Sequence, residues 1–328
     1  MRWHDIHIRG IGAAQGDLIP VDQFPSADHV TATGQRAVSV AHNTTGMDLA
    51  VRAGCDALIS LTMTSDDPLA VPDLHFHAAI WHGSRGIDLW SRAAYVRAHL
   101  GLPAGPGIAT EINAMSNSLA GAIDLSARIL AGSPDTNNVM LTGGETFGAP
   151  AFDHLTADHG IGGSALILGR QPGLAEVVAT SSWSDPTLEQ LHRDETQFLP
   201  PGTTEVGIEA VRQRKAHYRD DLSWVLLPHY GQQLLHTQCP GSLRIDEPRT
   251  VVHAGDQWGH IGPNDQLVGL TRLLAHGATT YGDHIAMIGI GIGMTWTAII
   301  LRITTVPAAM HTHAPPLLWP WRTPTPIS

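Results

Sequence analysis

What most restricts the folds open to this 328-residue chain is an internal repetition: each half runs through a strand, a polar turn, a helix, a strand, a glycine-rich turn and a further strand. In the first half, hydrophobic periodicity predicts a strand from Asp5 to Ala13, then loop to about Gly34. A helix from Asn43 to Ala53 and a β-rich stretch from Ala57 to Met63 follow. Asp66 to His82 reads as loop, and Ile87 to Leu100 as a helix stopped by Gly101 and Pro103. A strand-like entry from Gly107 to Asn113 feeds a helix closed by Gly132, before strands at Val139–Gly144 and Ser164–Gly169. The second half gives strands at Ala175–Thr180, Ser223–His229 and Arg249–Ala254, and a helix over Val206–Tyr218. A turn at Gly259–Asn264 leads to a helix over Gln266–His276, and strands close the half at His284–Gly289 and Met294–Arg302. Strands alternating with helices imply an α/β layered fold. The divisions drawn are 1–172 and 173–305 for the two halves and 306–328 for a Pro-, Trp- and His-rich tail without periodicity.

A repeat of this kind puts the turn before Leu119 and the turn at His260 in equivalent places, facing each other across a pseudo-two-fold axis. Ser116 sits in the first of them, at a strand-to-helix junction where first-turn N–H groups and the helix dipole favour negative charge. A serine there serves as an N-cap in most proteins. The same place also suits a nucleophilic oxygen or a developing oxyanion.

Composition narrows the chemistry. A net charge of −11 argues against nucleic acid or an anionic membrane as the main partner, since both reward clustered Lys and Arg. No apolar run approaches the length of a membrane span, and Met1-Arg-Trp-His-Asp lacks the pattern of a secretory signal, so the expected location is the cytoplasm. Cys55 and Cys239 are the only cysteines, which leaves neither a disulfide framework nor a four-thiolate metal site. Twenty histidines invite a metal hypothesis, but the pairs His75/His77 and His311/His313 lack a carboxylate or cysteine at a familiar metal-site spacing. They read as surface or packing residues, and no metal is expected.

Gly289-Ile-Gly-Ile-Gly293 is followed by β-branched residues rather than a helix, which argues against a dinucleotide fingerprint. A strand–glycine–strand turn instead bares backbone N–H groups suited to an oxyanion. Ser116 does not lie in a Gly-x-Ser-x-Gly elbow, against an α/β-hydrolase.

Four blocks carry a family resemblance. Ile112-Asn-Ala-Met-Ser116-Asn-Ser-Leu resembles the nucleophile segment of the 3-oxoacyl-ACP synthase III family of the thiolase superfamily, commonly Ile-Asn-Ala-Ala-Cys-Ser-Gly-Phe. Val225-Leu-Leu-Pro-His229-Tyr-Gly-Gln is similar to its Pro-His-Gln-Ala-Asn, and Trp258-Gly-His260-Ile-Gly to its Tyr-Gly-Asn-Thr-Ser. Gly289-Ile-Gly-Ile-Gly-Met-Thr-Trp-Thr resembles its closing Gly-Phe-Gly-Ala-Gly-Leu-Thr-Trp-Gly. The blocks run in the family's order from about residue 5 to 305. The resemblance implies a five-layered αβαβα thiolase-like fold of two pseudo-symmetric halves, and a homodimer.

The departures bear on mechanism. The family's cysteine is Ser116 here, its histidine is kept as His229, and its asparagine is replaced by His260; its Gly-Asp-Gly turn has become Gly160-Ile-Gly-Gly. The tryptophan that many members use on the adenine of coenzyme A has no counterpart near Asp28-His-Val, which favours a phosphopantetheine-borne donor on an acyl carrier protein, or a simple thioester, with no resident cofactor. A serine hydroxyl needs an adjacent base to attack, and His260 or His229 supplies one. The expected catalytic set is therefore Ser116, His229 and His260, with the roles of the two imidazoles open. The oxyanion would be held by the backbone N–H groups of Ser116 and Ile292 in the Gly291–Gly293 turn. The expected reaction moves an acyl group to a hydroxyl or amine of a natural-product scaffold. Decarboxylative condensation, starter-unit selection, thioester hydrolysis and a catalytically inert binding subunit are the alternatives.

Overall fold

The computed structural model describes residues 1–20, 37–40, 44–62, 71–80, 90–145, 160–192, 222–230, 259–291, 294–307 and 310. Among these residues nine strands form one sheet in the order β5-β4-β6-β7-β1-β8-β11-β10-β9. The first five are β1 (His7–Gln15), β4 (Leu74–Ala78), β5 (Ile108–Ile112), β6 (Asn138–Glu145) and β7 (Gly162–Gly169). The other four are β8 (Ala175–Ser184), β9 (Leu222–Leu226), β10 (His284–Gly291) and β11 (Thr295–Ile303). A separate two-stranded ribbon pairs β2 (Asp17–Pro20) with β3 (Ala37–Val40).

The sheet consists of two groups with one topology. Outward from β1 come the last strand of its group, β7, then the penultimate, β6, then the second, β4; outward from β8 come β11, β10 and β9 in the same succession. The pairing senses match as well, antiparallel twice and then parallel. Among the described residues, the strand ladders of the two groups are joined by the β1–β8 pairs His7↔Glu176 and Ile8↔Ala175.

Four α-helices lie among the described residues: α1 (Gly46–Thr62), α2 (Arg92–His99), α3 (Ser118–Gly132) and α4 (Asp265–Ala275). Helix α1 packs on β1, β7 and β6, whereas α3 touches β6 and β4 of one group and β8, β10 and β11 of the other. Helix α4 likewise touches β1 and β7 on one side and β9 and β10 on the other. The two strand groups therefore enclose α3 and α4, and α1 forms an outer layer. The main core follows this layering, joining Leu119, Ile123 and Leu130 of α3 to Leu267, Leu270 and Leu274 of α4 and to inward residues of both groups. The expected helix at 206–218 and strand at 249–254 lie outside the described residues, as does the tail beyond Met310.

Three local expectations are corrected. Residues 57–62 are not a strand but the last turns of α1, because that helix lies directly on the β1 backbone. A Cβ at Gly10 would come 2.2 Å from the Ala57 carbonyl oxygen, and one at Gly12 2.1 Å from that of Ala53. Ser60 Oγ accepts the Ile11 N–H at 2.7 Å, so tertiary contact outweighs the β propensity of Ile59. The presumed loop at 66–82 contains β4. Its polar residues His75 and His77 hid the alternation, and both rings are buried on the Thr142 hydroxyl, at 2.7 and 2.9 Å. Finally, α2 starts at Arg92 rather than Ile87, with Ser91 Oγ accepting the Ala94 N–H as its N-cap.

Candidate active site

The turn between β5 and α3 is wound tightly. Asn117 N–H donates to the Ala114 carbonyl at 3.1 Å and Ser118 N–H to that of Met115 at 3.0 Å. The Ser118 hydroxyl accepts from Ala114 N–H at 2.8 Å and donates to the Met115 carbonyl at 2.6 Å. Met115, with no glycine's freedom, is held at φ +52°, a strained left-handed conformation. Ser116 follows it, 8% exposed, one residue ahead of the helix N-cap Asn117; the capping role open to it in sequence is not the one it plays.

On the other side, Gly259 and Gly262 both adopt positive φ, at +68° and +62°, and present His260 between them. Ser116 Oγ lies 2.9 Å from His260 Nε2. His260 Nδ1 lies 2.6 Å from Asp265 Oδ2. Because the carboxylate can only accept, Nδ1 carries the proton, and in the neutral ring Nε2 then presents its lone pair to the serine hydroxyl, which donates. Serine, imidazole and carboxylate form a connected relay of the kind in which the base is oriented by a third group.

Asp265 was not among the residues singled out in sequence. It is the first residue of α4, fully buried, and its carboxylate also takes the backbone N–H of His229 at 2.7 Å and of Ile261 at 2.9 Å. His229 Nδ1 lies 3.4 Å from Oδ1, so the same carboxylate stands beside both imidazoles. Burial alone would raise the Asp265 pKa. The imidazoles of His229 and His260 and the backbone donors prevail and hold it below the usual carboxylate range. Its place at a helix N-terminus acts in the same direction. Burial pushes the His229 pKa down, against the opposing pull of Asp265, and His260 and Arg272 add to the lowering. The signal in sequence was an acid at the start of a helix five residues after His260, where the expected helix began one residue later.

The structure thus joins Ser116, His260 and His229, the last delivered by the segment following β9. The Tyr230 ring stands edge-on to His260, 4.9 Å between centroids. Gly291, at the end of β10, lies against the same turn: a Cβ there would meet the Ala114 carbonyl oxygen at 2.1 Å. Ile292 and Gly293 lie outside the described residues, as do His311 and His313. Among the described residues no group of three His, Cys, Asp or Glu is placed to hold a metal, and no helix is long and apolar enough to cross a membrane.

Comparison with known proteins extends this picture. Residues 213–303 match the family model described as 3-oxoacyl-[acyl-carrier-protein (ACP)] synthase III C terminal. A curated relative, the beta-ketoacyl-[acyl-carrier-protein] synthase III of Aquifex aeolicus (strain VF5), is 24% identical over 153 residues, which is 44% of this chain and 49% of that protein. The alignment therefore spans about half the length of that relative. Among solved structures, ChlB3, called an acyltransferase, superposes with a TM-score of 0.78 at 24% identity, covering 92% of this chain and 99% of that one. The 3-oxoacyl-(acyl carrier protein) synthase III of Xanthomonas oryzae pv. oryzae gives 0.75 at 16% identity, covering 92% and 100%. These likenesses give the fold over nearly the whole chain.

Proposed function

We propose that this chain, 3-oxoacyl-ACP synthase III-like in its fold and in its C-terminal family domain, is an acyltransferase of natural-product assembly that works through an acyl-serine. The observation that carries the reading is the 2.9 Å and 2.6 Å succession from Ser116 through His260 to Asp265. Ser116 Oγ attacks the thioester carbonyl carbon while His260 Nε2 takes its proton. The C–S bond breaks, and His260 returns that proton to the departing thiolate. A hydroxyl or amine acceptor then attacks the serine ester, gives its proton to His260, and frees Ser116, which is reprotonated by His260. Asp265 holds the His260 tautomer and offsets the positive charge that forms on the ring. The oxyanion of both steps is assigned to the N–H groups of Ser116 and Ile292. His229, whose pKa burial pushes down, is assigned the hydrogen bond to the reacting carbonyl or acceptor.

The donor of this proposal is an acyl group on the phosphopantetheine of a carrier protein or a simple thioester. The two halves, 1–172 and 173–305, contribute the nucleophile and the imidazoles respectively, and the enzyme acts in the cytoplasm. A homodimer is supported by β5 as the sheet's edge strand among the described residues, where Ile108 is 61% exposed. The names of the two synthase relatives favour a second reading, decarboxylative carbon–carbon condensation. Against it stands an imidazole at 260 where that family carries an amide. One assay separates them: the protein is given an acyl-pantetheine thioester with a hydroxyl or amine acceptor, and separately with a malonyl thioester. Acyl transfer without carbon dioxide release supports the proposal; carbon dioxide release with a new C–C bond replaces it.

A further inference from the structure

Ser116 is held by a turn that would relax if left alone, since Met115 stays in a sparsely populated backbone region only if its surroundings over-determine it. Hydrogen bonds within the turn hold its shape but do not fix where it sits relative to the rest of the site. Asn117 does that. Its side chain makes no cap to α3; instead Nδ2 donates to Thr295 Oγ1 and to Thr297 Oγ1, each at 3.1 Å, both on β11. The residue itself is 3% exposed.

The strands on that side are shaped to receive it. Asn117 Oδ1 would lie 2.3 Å from a Cβ at Gly289, and Asn117 Cβ 2.8 Å from one at Gly291, so any side chain at these β10 positions would drive the turn away. The contact does not end at β11. Thr297 shares a hydrogen bond with Ser182 at 3.1 Å, and Ser182 donates to the buried Asp124 of α3 at 2.9 Å. Thr180 also donates to Asp124, and Arg128 pairs with it at 3.1 Å. The start of α3 and its second turn are thereby tied to the same face of the second strand group.

On the acyl-serine reading above, we infer that Asn117 is a positioning residue. By anchoring the strained turn to Thr295 and Thr297, it sets the Ser116 hydroxyl against His260 and the turn against Gly291 at the end of β10. Misplacement of a nucleophile by about 1 Å costs about 10²-fold in rate, so the clamp acts on the chemical step and not on donor affinity.

The test compares wild type, Asn117→Ala and the double variant Thr295→Val/Thr297→Val, which removes both acceptors but keeps β-branched side chains. Three quantities are read at a temperature where each protein is folded by circular dichroism. They are the rate of Ser116 acylation by an acyl-pantetheine thioester, the donor KM, and the inhibition constant of phenylboronic acid, which adds to a serine oxygen as a tetrahedral anion. The expected result is acylation slower by about 10–100-fold, KM within about threefold, and boronate inhibition weaker by a similar factor to the rate. A role confined to stability would lower the melting temperature and leave the rate per folded molecule alone. Rates within about twofold of wild type in the folded variants overturn the inference. If Asn117→Ala does not accumulate as folded protein, the double threonine variant decides by the same criterion. A Ser116→Ala protein that keeps the wild-type rate overturns the acyl-serine reading itself, a failure distinguishable from that of the clamp.

Discussion

Replacing Asp265 by asparagine keeps the size of the side chain and removes its charge, and the three hydrogen-bond donors on it make the outcome specific. The carboxylate takes His260 Nδ1 and His229 N–H on Oδ2, and Ile261 N–H on Oδ1, with His229 Nδ1 nearby at 3.4 Å. An amide has one oxygen. If it points toward Ile261, the NH2 group faces His260 and His229; His260 must then take the tautomer with its proton on Nε2, where it cannot accept from Ser116. If it points the other way, the tautomer survives but Ile261 N–H faces an NH2 donor and the imidazolium loses its counter-charge. Unit charges about 4 Å apart at an effective dielectric of about 20 interact by about 4 kcal/mol. That corresponds to about 10³-fold in rate, and an inverted tautomer raises the loss to about 10⁴-fold. Either orientation leaves a buried backbone donor unmet, at about 1–3 kcal/mol of stability. The expected result in single-turnover acylation is a rate at least about 10³-fold lower, with a melting temperature reduced by several degrees. A folded Asp265→Asn protein acylating within about tenfold of wild type refutes the role given to this carboxylate.

Other variants bear on the remaining parts. His260→Asn restores the amide typical of the resembled family and removes the base, so acyl-serine formation should fall by at least about 10²-fold; retention of the rate in stopped-flow acylation contradicts the assignment. Ser116→Cys should still acylate, since a thiol needs less help from a base, and an unreactive, unmodified Cys variant in thioester consumption counts against the site. Gly291→Ala forces a Cβ onto the Ala114 carbonyl and should destabilise the fold by about 1–3 kcal/mol while displacing Ser116; an unchanged urea midpoint and rate contradict this. The His75 pKa is depressed by burial from 6.5 to about 4, so its contribution to stability is present above pH 6.5 and is lost as the pH falls toward 4. That amounts to about 3 kcal/mol, with His229 shifted in the same direction. The urea midpoint should drop over this window and drop less in His75→Gln; identical profiles contradict the account.

The strand–turn–helix around Ser116, the closing pair β10 and β11, and the approach of His260 to Ser116 were all legible in sequence, because each rests on short-range pattern plus one repeat. What was hidden lay where tertiary contact overrides local preference. Residues 57–62 look like a strand until the glycines of β1 let a helix rest on its backbone. Strand β4 looks like loop because His75 and His77 occupy buried positions, where both rings meet the Thr142 hydroxyl. Asp265 and Asn117 escaped for another reason: an acid or an amide at a helix start reads as ordinary capping chemistry. Only the packed structure shows that one turns to two histidines and the other to two threonines.

The central claim is that the hydroxyl of Ser116 carries the acyl group. Intact-mass measurement after brief exposure to an acyl-pantetheine thioester, with peptide mapping and a Ser116→Ala control, addresses it most directly. The account predicts one added acyl mass, located on Ser116, absent from the control and discharged when a hydroxyl or amine acceptor is added. Turnover with no adduct at any time, or the same adduct on the Ser116→Ala protein, would contradict it.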